Sequence, residues 1–193
     1  MQGILGVLER YKVDYFLWTG VVKNDAENKK LAELLDKTQK LQRNFSASLS
    51  DVGATKAIVI NAGEKIKAGN VLIDILHPFE NLTGSQPKNT NDTSIVSKLI
   101  FGESTFLFTG DISASLEKKL VGVNTDLLSD VLKVAHHGSK YSTSELFLEN
   151  VKPEIAVISV GAKNTYGHPT PEVLQRLSNF GAEILRTDQK GDI

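Results

Sequence analysis

The apolar positions of this chain change rhythm after Asp111. Upstream, Ile4, Leu5, Val7 and Leu8 fall on one side of a short helical pattern, and Val13-Asp-Tyr-Phe-Leu-Trp18 reads as a buried strand closing at Gly20. Residues 24–49 carry Leu31, Leu34, Leu35, Thr38 and Leu41 at spacings of three or four among many charges, which predicts an amphipathic helix. Ile58-Val-Ile60 and Val71-Leu-Ile-Asp-Ile-Leu76 read as strands, separated by a turn region from Gly63 to Gly69. Residues 80–92, rich in Asn, Thr, Gly, Ser and Pro, predict a surface loop, and Ser94 to Ile100 predicts a strand that hairpins at Gly102 into Thr105 to Thr109. Downstream, helices predicted at Ser115 to Leu120, Ser142 to Asn150 and Pro171 to Phe180 alternate with strands, the last opening at Ile184-Leu-Arg186. Such an order predicts an α/β layered domain with β-rich ladders first and crossovers later.

The chemistry lies where strands end. Ser104-Thr-Phe-Leu-Phe-Thr-Gly-Asp111 ends in Gly-Asp, Asp130-Val-Leu-Lys-Val-Ala-His-His-Gly-Ser139 ends in paired imidazoles before a glycine, and Ile155-Ala-Val-Ile-Ser-Val-Gly161 leads to Gly167-His168-Pro169. Consecutive strands that each end in a Gly-flanked Asp or His predict one shared site at one sheet edge. A metal site or a catalytic base is the chemistry such a cluster suits.

Composition narrows the classes. The 193 residues fit one domain, residues 1–193, and 40% hydrophobic with 23% charged content is ordinary for a globular chain. A net charge of −1 excludes strong general attraction to nucleic acid, so any DNA contact must come from a local basic patch; Lys133, Lys140 and Lys163 fall near the candidate loops. With no cysteine there is neither a disulfide framework nor a thiolate metal site, and any metal needs imidazole and carboxylate ligands. No apolar run approaches the roughly 18 to 20 residues that span a bilayer, and no basic-then-apolar leader opens the chain, so the reading is a soluble domain.

Taken in order, Asn91-Asp-x-Ser94, Thr109-Gly-Asp111, Leu132-Lys-Val-Ala-His-His-Gly-Ser139, Ser159-Val-Gly-x-x-Asn164-x-Tyr-Gly-His-Pro169 and Thr187-Asp-x-x-Gly-Asp192 resemble the metallo-β-lactamase-type domain of the ComEC competence proteins. The resemblance implies an αββα sandwich and a metal-dependent hydrolase related to nucleases. It implies two divalent ions in the intact family site, Zn or Mn, and DNA, single strand or duplex, as substrate. In that family the domain is joined to a membrane DNA channel domain, on the extracytoplasmic side of a bacterial membrane, and degrades the strand that is not taken up.

Carried over residue by residue, the resemblance makes Asp111 the carboxylate that bridges both metals, and His136 or His137 a ligand. His136 is slightly favoured, on the argument that a strand-end side chain is held more rigidly than one already in the turn. His168 is expected to bind phosphate or to donate a proton to the leaving oxygen. His77 is expected to pack; Asn91, Asp92 and Ser94 are expected to organise their loop. Ser139 lacks a Gly-x-Ser-x-Gly elbow and is not read as a nucleophile. Stacking on a nucleic-acid base is supported only by Tyr141 or Tyr166.

One departure bears on activity. The family's His-x-His-x-Asp-His segment is not in the sequence, and Met1-Gln-Gly3-Ile-Leu resembles the residues that follow it. The expectation is therefore a partial domain, incomplete at both ends, whose activity belongs to the parent protein. Two further readings stand beside it: a stand-alone metallo-hydrolase of small esters or phosphodiesters, and a non-catalytic module that binds DNA or a partner.

Overall fold

The computed structural model describes residues 2–22, 25–44, 55–123 and 125–193. They fall into two compact units, Met1–Ile60 with Asn81–Gln86, and Asn61–Glu80 with Pro87–Ile193.

In the first unit, helix α1 (Gln2–Arg10) is followed by strand β1 (Tyr15–Trp18), helix α2 (Ala26–Asn44) and strand β2 (Lys56–Val59), with β1 and β2 paired in parallel. Asp25 starts α2 by accepting the Asn28 amide at 2.8 Å, which satisfies one of the helix's free N-terminal donors. Of the leucines predicted to line one face, Leu31 and Leu35 are buried with Leu5, and Leu34, Phe16 and Ala57 pack against them partly buried. The predicted helix over 24–49 thus stands from Ala26 to Asn44, and its residues 45–49 lie outside the described residues.

The second unit is a seven-stranded sheet whose strands lie in chain order: β3 (Lys65–Ala68), β4 (Val71–His77), β5 (Val96–Phe101), β6 (Ser104–Phe108), β7 (Val131–Lys133), β8 (Ile155–Ile158) and β9 (Glu183–Arg186). From β3 to β6 the pairs are antiparallel, and from β6 to β9 they are parallel. Parallel neighbours need a crossover. Helices α3 (Ala114–Gly122), α4 (Glu145–Val151) and α5 (Pro171–Asn179) supply them. Leu107, Leu132 and Ala156 are in register across β6, β7 and β8, and all are fully buried. Ile112, Leu116, Leu120, Phe147, Val173 and Leu177 from the crossovers join the same core. Each buried leucine there contributes about 1.5–3 kcal/mol by leaving water. The mixed α/β class and the switch from ladders to crossovers are as the sequence predicts.

Three local expectations change. The segment read as a turn region from Gly63 to Gly69 contains β3, an edge strand with Lys65 and Lys67 exposed and Lys65 reaching Asp74 on β4 at 3.3 Å. Its Lys-Ile-Lys-Ala alternation is strand-like, and the lysines are the charges that keep an edge from pairing further. The predicted helix from Ser142 begins at Glu145, because Ser144 turns its hydroxyl to the Phe147 amide as an N-cap. Finally, β9 does not run on past Arg186. Thr187–Lys190 form the one-turn helix α6, and Arg186 folds back onto Asp188 in a bidentate pair.

Candidate functional site

The carboxyl ends of the parallel strands β6, β7 and β8 open onto one place, the position where α/β sheets generally mount ligands. Past β6, the chain turns through Thr109 and Gly110 to Asp111. Thr109, fully buried, donates its hydroxyl to the Lys133 carbonyl at 2.7 Å and so ties this turn to β7. Gly110 has φ +57, and a Cβ there would lie 2.5 Å from the Ser94 Cβ, so only glycine lets the turn approach that close. Ser94 uses the approach: its hydroxyl donates to the Asn91 carbonyl at 2.7 Å and accepts the Asp111 amide at 3.0 Å. Asp92 accepts the Ser113 amide at 2.9 Å, fixing the other side of the turn. The Asn91-Asp-x-Ser94 segment thus holds the backbone that carries Asp111, a turn other than the loop its side chains are expected to organise.

Past β7, Ala135–Gly138 form a tight turn in which His136 (φ 48) and His137 (φ 55) both adopt left-handed backbone. That conformation costs a non-glycine residue about 1–2 kcal/mol. Neither histidine belongs to the strand, so the premise that His136 sits at a strand end and His137 in the turn does not hold. Two successive left-handed residues splay the rings apart, 6.4 Å between centroids. His137 turns its Nδ1 to the Ser159 carbonyl at the end of β8, and its Nε2 lies 3.7 Å from Asp111 Oδ1. His136 turns instead toward His168, with ring centroids 5.7 Å apart and planes at 72°. Gly138 (φ +81) closes the turn where a Cβ would meet the Pro169 Cβ at 2.6 Å, so the His-His turn and the loop after β8 touch.

His168 is held by its backbone. Asn164 accepts its amide at 3.1 Å and donates to its carbonyl at 2.9 Å and to that of Gly161 at 3.0 Å. Thr187 braces the start of this loop by accepting the Val160 amide at 2.8 Å. The His168 Nδ1 is buried and has no hydrogen-bond partner among the described residues. Burial, then the neighbouring His136 and His137, push its pKa below the ordinary histidine value, so the ring is neutral at neutral pH. Outside this group, His77 is buried in β4 with Nδ1 on the Ser94 carbonyl at 2.9 Å and its ring edge-on to Phe79, the packing role expected of it.

Lys133, which the sequence offers as a basic residue for a DNA contact near these loops, is engaged inside the site. Lys133, the last residue of β7, donates from Nζ to the Gly110 carbonyl at 2.9 Å and stands 3.9 Å from Asp111 Oδ1. Burial lowers its pKa, and Asp111 opposes the shift. The alternation of β7 could have pointed to it, since Lys133 shares a face with Val131 across the buried Leu132.

Asp111 and His137 face each other with the geometry of a pair of metal donors. The Nδ1 of His137 faces a carbonyl, which fixes the proton there and leaves Nε2 as a lone pair, the usual arrangement of a metal-binding histidine. Two donor atoms each bound at about 2.1 Å to one ion lie at most about 4.2 Å apart, and 3.7 Å is within that limit. The pair fits as part of a ligand set. Among the described residues no group of three His, Asp or Glu converges to complete it.

The chain is 38% identical over 132 residues to ComE operon protein 3 of Bacillus subtilis (strain 168), covering 67% of this chain and 17% of that protein. It is 43% identical over 116 residues to competence protein ComA of Neisseria gonorrhoeae, covering 58% of this chain and 17% of that protein. The chain therefore spans about a sixth of the length of the curated relatives it matches. No protein-family model matches it. Among solved structures it is similar to the metallo-beta-lactamase fold protein YhfI from Bacillus subtilis, at 14% identity and a TM-score of 0.45, covering 96% of this chain and 78% of that one.

Proposed function

Because this chain is a homologue of the ComEC-family competence proteins over two thirds of its length, we propose that it is their metal-dependent hydrolase domain, a phosphodiesterase that acts on DNA during uptake. The observation that carries the reading is the facing pair of Asp111 Oδ1 and His137 Nε2, with His137 locked on the Ser159 carbonyl. Asp111 and His137 would hold the ion. When bound, a divalent ion, Zn or Mn, supplies Lewis acidity to a phosphoryl oxygen and lowers the pKa of a bound water.

The remaining side chains have their own work. Lys133, anchored on the Gly110 carbonyl, keeps a positive charge beside Asp111. His136 and His168 form the wall facing the arriving phosphate. His168 is neutral while the site is empty of anions, and a phosphate brought against it raises its pKa, so it takes up a proton as substrate binds. In that state it can hydrogen-bond a phosphate oxygen or return the proton to the leaving oxygen. Within the family reading, the domain works beside a membrane channel domain on the extracytoplasmic side; none of the described helices is long and apolar enough to cross a membrane.

The test is cleavage of an end-labelled oligodeoxynucleotide in Mn²⁺ or Zn²⁺, with a chromogenic phosphodiester and a chromogenic ester run in parallel. Metal-dependent DNA cleavage lost in Asp111→Asn supports the reading. Turnover of the ester alone, or DNA binding without any cleavage at every metal tried, rejects it in favour of an esterase or of a binding module.

A further inference from the structure

Tyr166 is 82% exposed, more so than any other large hydrophobic residue described. A loop-borne aromatic in water is ordinary when it is mobile and isolated. This one is neither. Its ring lies nearly parallel to that of His168, 20° between planes and 6.2 Å between centroids. His168 in turn meets His136 edge-on at 5.7 Å, and the backbone between Gly161 and His168 is clamped by the Asn164 side chain, which donates to the Gly161 and His168 carbonyls and accepts the His168 amide. The rings thus run in order from solvent to the histidine pair: Tyr166, His168, His136. The outermost is a flat face lying against His168, on a backbone held at both sides, and open to water on the side away from His168.

We propose that Tyr166 is a stacking platform for an unpaired nucleobase, positioned so that the phosphate of the stacked nucleotide reaches the His168 and Asp111 end of the site. The inference rests on the reading of this site as a phosphodiesterase and adds to it a preference for unpaired over fully paired DNA. A flat solvated ring gains most from another flat apolar face, and every nucleobase offers one, so the platform is indifferent to sequence. Inside a duplex those faces are already stacked on their neighbours; only single strands, overhangs and frayed ends present them. Because the loop is held by Asn164 before any ligand arrives, little ordering entropy is lost on binding. Tyr141, also exposed at 70%, differs: its ring is covered by Lys140, whose Nζ lies 5.3 Å from the centroid.

The experiment is equilibrium binding, by fluorescence anisotropy in the absence of added metal so that nothing is cleaved. The probes are a single-stranded oligodeoxynucleotide, the same oligonucleotide with abasic residues at its end, and a blunt duplex, against the full chain and its Tyr166→Ala and Tyr166→Phe variants. Loss of one base stack corresponds to about a 5- to 150-fold weakening. The platform predicts a weakening in that range for the single strand in Tyr166→Ala, near wild-type binding in Tyr166→Phe, and no effect of Tyr166→Ala on the abasic strand or the blunt duplex. Equal single-strand binding by wild type and Tyr166→Ala, or an equal loss on duplex and single strand, overturns the platform while leaving the phosphodiesterase reading intact. Failure of the wild-type chain to bind any of the three probes also overturns the platform, whereas the phosphodiesterase reading stands or falls on the cleavage assay with metal.

Discussion

The Nε2 of His137 stands 3.7 Å from Asp111 Oδ1 while the other ring nitrogen faces the Ser159 carbonyl. The ends of three strands meet in that contact: Asp111 follows β6, His137 follows β7, and Ser159 follows β8. Because a carbonyl only accepts, the hydrogen bond makes Nδ1 the protonated nitrogen of neutral His137. Nitrogen-detected NMR of the metal-free chain should therefore show His137 as the Nδ1–H tautomer. An Nε2–H tautomer would remove the lone pair that the metal reading places opposite Asp111.

The hydroxyl of Ser94 is expected to matter beyond its size. Ser94→Ala leaves the Asp111 amide without its acceptor and the Asn91 carbonyl with only the Ser94 backbone amide as donor. At this partly exposed position the stability cost should be about 1 kcal/mol in urea unfolding. Metal-dependent cleavage should fall by about 10- to 100-fold, the range for a partner that orients a ligand.

Gly138 lies where two loops of the site meet, its carbonyl accepting the Thr170 amide at 2.9 Å. Gly138→Ala adds a methyl 2.6 Å from the Pro169 Cβ and forces a side chain into φ +81. Left-handed strain and overpacking together predict a loss of about 2–4 kcal/mol by denaturant unfolding. Gly122→Ala, in α3 where nothing lies within 4 Å of the added Cβ, is the control and should not be destabilised.

The charge state of His168 gives a pH prediction. Its folded pKa is lowered by burial first and by His136 and His137 next, while the unfolded value is the ordinary 6.5. Below 6.5 the unfolded chain therefore takes up a proton that the folded chain refuses. The stability tied to this ring is fully present above pH 6.5 and declines as pH falls toward the folded pKa. His136→Ala removes one opposing charge and should move the His168 titration back up toward 6.5, followed by imidazole NMR on the metal-free chain. An unchanged or lowered His168 midpoint would show that the two rings do not interact.

Much of this site is legible in the chain because the chemistry sits at strand ends flanked by glycine. Asp111, the His136-His137 pair and His168 can each be picked out from an apolar run that stops at such a turn, and the crossovers between them follow from helical periodicity. Which histidine faces Asp111 is not legible. Spacing says nothing about two consecutive residues in left-handed backbone, and that conformation alone sends His137 toward Asp111 and His136 toward His168. β3 escaped because four residues between two glycines look like a turn until β4 pairs with them. The anchoring of Lys133 on the Gly110 carbonyl is a tertiary contact between the end of β7 and the turn after β6, so the alternation of β7 gives the face of Lys133 but not its partner.

The measurement that tests the central claim most directly is metal content per chain by elemental analysis after loading with Mn²⁺ or Zn²⁺ and desalting. It should be made on the wild type and on Asp111→Ala, His137→Ala and His136→Ala. If Asp111 and His137 share an ion, the wild type retains metal, Asp111→Ala and His137→Ala lose it, and His136→Ala keeps it. Retention in His137→Ala with loss in His136→Ala, or no metal retained by the wild type, would contradict that assignment.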